Sequence, residues 1–234
     1  MGCPMGFGEL NIPSSRAFWD DCDEDECPKT EAEKLQLKYE SCPDGADWKN
    51  CKLMFVLEGP NIADFGQGTL LMNDSIKIAT IPSKKSTLHF SPKKQMLIAI
   101  IDEDLNTSGE ICDLLLALCK PQEVITLTIK PKVDYKSENI AAVREEITFL
   151  RSMEGELKDI APLEAPNFIA GVAAGVCSWR SNENLKNQTY IAYTDNIALD
   201  PLAAKPIWKL LNDLNIECCS SYKPKKRDDS HLYM

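Results

Sequence analysis

The sequence predicts an α/β protein, a layered sandwich around a central and mostly parallel sheet. Three observations carry this. Short apolar runs (KLMFVLE, QMLIAIID, EVITLTIKP, TYIAYTD) recur along the chain, and continuous rather than alternating runs belong to strands covered on both faces. Stretches with helical spacing separate them, and that alternation is the pattern of a parallel sheet with crossover helices. The chain has 234 residues, 44% hydrophobic and 26% charged, enough for one substantial core.

The elements follow in order. TEAEKLQLKYE offers a helix, and KLMFVLE begins the regular region at residue 52. GPNIADFGQG, rich in turn residues, reads as a turn carrying Gly66 and Gly68. IKIATI alternates like a half-buried strand, and QMLIAIID is a central one. TSGEICDLLLALCK is a helix with Thr107 or Ser108 as cap and Ile111, Leu114, Leu115 and Leu118 on one stripe. Pro121 stops it before the strand EVITLTIKP. ENIAAVREEITFLRSM has helical spacing at Ile140, Val143, Ile147 and Leu150. NFIAGVAAGVCSW is a further helix, whose Gly171, Ala174 and Gly175 permit close approach to a neighbour. TYIAYTD is a strand, and DPLAAKPIWKLLNDL closes the domain as a helix broken before Pro206. The expected organisation is an N-terminal segment over 1–50, one α/β domain over 51–217, and a flexible tail over 218–234.

Charge excludes some functions. Acids outnumber bases 36 to 26, so phosphate backbones and anionic membranes are repelled and nucleic-acid binding is not expected. Residues 1–50 hold 12 Asp/Glu against 5 Lys/Arg, a net of −7 out of −10. The peak, DDCDEDE at Asp20 to Glu26, repels itself and has nothing to bury, so it is expected to be disordered. MGCPMGFGEL lacks the basic and apolar regions of a secretory signal. No run reaches the 18 or so apolar residues of a membrane span. The ten cysteines are then expected to be reduced thiols in the cytoplasm or nucleus, with Cys112/Cys119 and Cys218/Cys219 wholly or partly buried.

A search for chemistry finds little. There are two histidines, His89 and His231, no HExxH, no paired CxxC and no GxxxxGK[ST] or GxSxG. No catalytic residue, metal ligand or cofactor site is assigned. The best enzymatic alternative is a small-molecule crevice using Gly66, Gly68, Asp102 and Asp195, since acids at strand C-termini can share one crevice of an open sheet.

The segments LEAPNFIAGVAAGVCSW and QTYIAYTDNIALDPLAAKPIWKLL resemble the proteasome assembly chaperone 1 family, and FGELNIPSSR, PKKQMLIAIID and ITLTIKPKVDYKSE agree in order. The resemblance spans most of residues 7–211. It implies a fold related to purine nucleoside phosphorylase without that activity. It also implies a heterodimer with proteasome assembly chaperone 2, which binds proteasome α-subunits, promotes α-ring formation and prevents off-pathway ring pairing. It further implies a cytoplasmic location, with the nucleus or the endoplasmic reticulum surface as additional sites. The ending Leu232-Tyr233-Met234 matches the hydrophobic–tyrosine–any-residue (HbYX) terminus of that family and of proteasome activators. The preceding SSYKPKKRDDS reads as a flexible linker, with KPKKR as a nuclear-import patch in the competing reading.

Overall fold

The computed structural model describes residues 35–40, 48–60, 62–71, 75–81, 85–137, 145–195, 199–219 and 222. The acidic run 20–26, the KPKKR segment and Leu232, Tyr233 and Met234 lie outside them. Among the described residues eight strands form one sheet: β1 (Lys38–Tyr39), β2 (Leu53–Gly59), β3 (Ile76–Thr80), β4 (Thr87–Ser91), β5 (Met96–Asp102), β6 (Glu123–Pro131), β7 (Thr148–Met153) and β8 (Asn187–Thr194). Their spatial order is β1-β3-β4-β5-β2-β6-β8-β7. The central four, β5, β2, β6 and β8, are mutually parallel, and β1, β3, β4 and β7 add antiparallel margins. The expected α/β sandwich is the architecture observed, but the sheet is mixed rather than mostly parallel, with three parallel and four antiparallel pairings among the described strands.

Four helices cover this sheet among the described residues: α1 (Ala63–Leu70), α2 (Ser108–Leu118), α3 (Gly171–Asn182) and α4 (Lys205–Asp213). Successive side chains of a strand point to opposite faces, and the core divides accordingly. Phe55 and Leu57 of β2 join one cluster with Phe65 of α1 and Ile207 and Leu211 of α4. Met54 and Val56 join the other with Ile111 and Leu115 of α2 and Val172 and Val176 of α3. Two helices therefore lie on each face, giving three layers. Gly175 allows the close approach expected of it, because a Cβ there would stand 3.0 Å from the Cys112 sulfur. Pro206 falls in the first turn of α4, where its missing N–H is harmless.

Three sequence expectations are corrected. Residues 148–153 are an antiparallel strand paired with β8, not the end of a helix; of the predicted helix over 138–153, residues 138–144 lie outside the described residues. Phe149 packs with Tyr135 and Tyr193, and that contact outweighs the helical spacing. The Gly66/Gly68 segment is helix α1, not a turn. The described end of TEAEKLQLKYE is extended, with Lys38–Tyr39 pairing to β3. Leu35 and Leu37 pack on one core face, and Tyr222 packs edge-on against Phe65.

Candidate binding site at the carboxyl rim of the sheet

The four parallel strands end together, so Gly59, Asp102, Pro131 and Thr194 mark one rim of the sheet. β2 continues into α1 on one face and β5 into α2 on the other, which opens a crevice where open α/β sheets bind ligands.

That crevice holds the protein's own carboxylate. Glu58, buried at the end of β2, accepts the backbone N–H groups of Val172 (2.8 Å) and Ala173 (2.7 Å) at the N-terminus of α3. Helix N-termini favour anions through their unpaired N–H groups and dipole, and here Glu58 supplies the negative charge. Burial nevertheless holds its pKa above the usual carboxylate value, against the lowering effect of those two N–H groups and of Lys130. Gly171 makes the arrangement possible, with φ +85° and no Cβ to strike the Glu58 carboxyl group.

Around it the rim is polar and paired. Lys130 bridges Glu103. Lys132 donates to the Glu146 carbonyl and bridges Asp195 at 3.1 Å. Farther along, Arg151 Nε donates to the Tyr135 hydroxyl (2.9 Å), which donates to Glu164 (2.5 Å). The Arg151 guanidinium also lies over the Tyr135 and Phe149 rings. A cavity of about 400 Å3 opens here, lined by Leu105, Lys130, Val133, Phe168, Ala170 and Tyr193 among others.

The residues of the enzymatic alternative are not brought together. Gly66 and Gly68 are packing positions: a Cβ on Gly66 would stand 2.8 Å from Ile100, and one on Gly68 would stand 2.5 Å from the Tyr222 ring. Asp102 ends β5, where its N–H donates to the Ser86 hydroxyl. Asp195 follows β8, with β2 and β6 between the two strands. Three strand spacings separate the acids by about 14 Å. As expected, Cys112 and Cys119 are buried and Cys218 and Cys219 partly so. No described helix is long and apolar enough to cross a membrane.

Sequence reasoning missed Glu58, Val133 and Phe168. Glu58 had a signal, because an acid closing the apolar run KLMFVLE must find a partner where it is buried. Val133 had none, since single apolar residues in loops are ordinary, and Phe168 falls in the stretch expected to be helical, whereas the helix begins only at Gly171.

No family model matches the chain, and no curated protein matches it. Solved structures do. PbaB of Pyrococcus furiosus, described as an archaeal proteasome activator, is 14% identical over 80% of this chain and 92% of its own, with a TM-score of 0.52. PbaA of the same organism, described as an archaeal homologue of proteasome-assembly chaperone, is 15% identical over 78% and 82%, with a TM-score of 0.50. A futalosine hydrolase mutant from Helicobacter pylori is more remote, at 9% identity and a TM-score of 0.42. The chain shares the fold of the two archaeal proteins.

Proposed function

We propose that this chain is a non-enzymatic assembly chaperone of the proteasome assembly chaperone 1 type. It pairs with proteasome assembly chaperone 2, binds proteasome α-subunits, promotes α-ring formation and prevents off-pathway ring dimerisation. The observation that carries this reading is the Leu232-Tyr233-Met234 ending on a chain whose fold is that of PbaB. The N–H groups that open α3 are taken by Glu58 of the chain itself.

The proposed tail mechanism is simple. The terminal carboxylate meets a lysine in a pocket between neighbouring α-subunits, a charge-assisted contact that contributes roughly 1.5–3 kcal/mol. Burial of the Leu232 side chain adds about 1.5–3 kcal/mol before the cost of ordering the tail. Tethering to a docked body raises the effective concentration to about millimolar, so weak contacts suffice. Affinity purification of the full chain from cell lysate tests the whole reading. Recovery of α-subunits together with a second α/β chaperone supports it, and their absence removes it.

A further inference from the structure

Eight large hydrophobic residues are exposed among the described residues, and five lie at one end of the sheet. Leu105 follows β5, Val133 follows β6 and Phe168 precedes α3, whose N-terminus meets the end of β2. Leu202 follows β8, and Ile147 precedes β7, which begins opposite the last residue of β8. Val133 is 87% exposed and Phe168 79%, and with Leu105 they flank the 400 Å3 cavity. From β5 to β7 the rim spans four strand spacings, about 19 Å, which is the scale of a protein–protein contact rather than of a small-molecule pocket.

The charges around these side chains specify the partner. Lys130 and Lys132 are already engaged by Glu103 and Asp195. Counting those pairs, and whatever local partners each group has, the described rim carries Asp102, Glu103, Asp104, Asp134, Glu145, Glu146, Asp195 and Asp200 against Lys130, Lys132, Lys136 and Lys205, a net negative border. An apolar centre with an acidic border repels a second copy of the same surface and attracts one bordered by bases. We propose that the carboxyl rim is a protein-docking surface for a folded partner that presents apolar side chains ringed by lysine and arginine. The partner's apolar anchor enters the cavity between Val133 and Phe168. This rests on the chaperone reading only in expecting that the partner belongs to the proteasome assembly pathway.

Site-specific photocrosslinking in cells tests it. Val133 and Phe168 are each replaced by benzoyl-phenylalanine in the full chain, with Trp179, exposed at the far end of α3, as control, and the adducts are sequenced. Both rim positions are expected to give adducts to the same protein, at a peptide with apolar residues flanked by Lys/Arg. Asp134→Lys combined with Asp104→Lys should cut the yield at least fivefold, without changing the yield at 179. If that protein is an α-subunit or a second α/β chaperone, both readings stand. If it is an unrelated basic protein, the docking surface stands and the chaperone reading falls. No adduct at either rim position, adducts to the chain's own residues 1–34 or 223–234, to a second copy, or yields indifferent to the charge reversal would overturn the proposal.

Discussion

Gly171 lies against the Glu58 carboxyl group so closely that a Cβ on the glycine would stand 3.0 Å from Glu58 Cδ and closer still to Oε1. One position thus fixes the entry to α3, the burial of an acid and the filling of the crevice. Gly171→Ala should destabilise the fold by about 2–5 kcal/mol, combining backbone strain at positive φ with displacement of the two N–H bonds to Glu58. Gly109→Ala is the matched control, because Gly109 is helical and a Cβ there meets nothing within 4 Å; it should stabilise by roughly 0.4–1 kcal/mol. Urea denaturation of both variants decides, and equal midpoints would contradict the account.

His89 provides a pH test. It lies on β4 between Lys77 and Ile98, and burial followed by the Lys77 charge pushes its pKa down to about 4. Unfolded, it titrates near the ordinary 6.5. The unfolded chain therefore binds the proton first, and the stability His89 allows above pH 6.5 is lost as pH falls toward 4. The loss approaches about 3 kcal/mol. His89→Leu should flatten this part of the profile. Glu58 acts with the opposite sign, since a raised carboxyl pKa drains stability as pH rises through it. The comparison of the two chains therefore isolates the histidine. Identical slopes between pH 4 and 6.5 would refute the assignment.

Arg180 is a third test. Its buried guanidinium donates to the carbonyls of Pro121, Gln122 and Lys186, tying the C-terminal half of α3 to the entries of β6 and β8. Arg180→Met fills similar space but leaves three carbonyls without their donor, at about 3 kcal/mol or more. The melting temperature should fall by roughly 6–12 °C. A fall under 2 °C would mean that water replaces the guanidinium at no cost.

Much of this fold is legible in the sequence. β2, β5, β6 and β8 appear as continuous apolar runs because both sheet faces are covered. The stripe at Ile111, Leu115 and Leu118 marks α2 for the same reason that it is buried. The errors have physical causes. β7 lies at the margin of the sheet, where Phe149, Leu150 and the preceding Ile147 satisfy helical spacing as well as strand pairing. β4 (TLHFS) hides a histidine and hydroxyls in its ladder. α1 is masked by two glycines that exist so the helix can approach Ile100 and Tyr222. The rim surface is assembled from residues far apart in sequence, Leu105, Val133 and Phe168, and only the topology brings them together.

The non-enzymatic reading proposed above makes a further prediction. Asp102→Asn and Asp195→Asn should leave proteasome assembly intact. The Asp195 bridge to Lys132 is largely exposed on the acid's side, and such pairs contribute about 0–1 kcal/mol. Native gels of assembling core particles give the readout. A phosphorylase or hydrolase activity abolished by either change would replace the chaperone reading with an enzymatic one.

The central proposal is that the chain acts on α-rings through the Leu232-Tyr233-Met234 segment, and calorimetric titration of α-rings tests it most directly. Three full-length chains are compared in complex with the second chaperone: native, lacking residues 232–234, and extended by one residue after Met234. The extension moves the carboxylate by up to about 3.5 Å, enough to break a charged hydrogen bond of about 2.7–2.9 Å. The account predicts that truncation and extension weaken binding alike, by tenfold or more, with the heterodimer unchanged. Equal affinities for all three chains would contradict it, and the body alone would then carry the function.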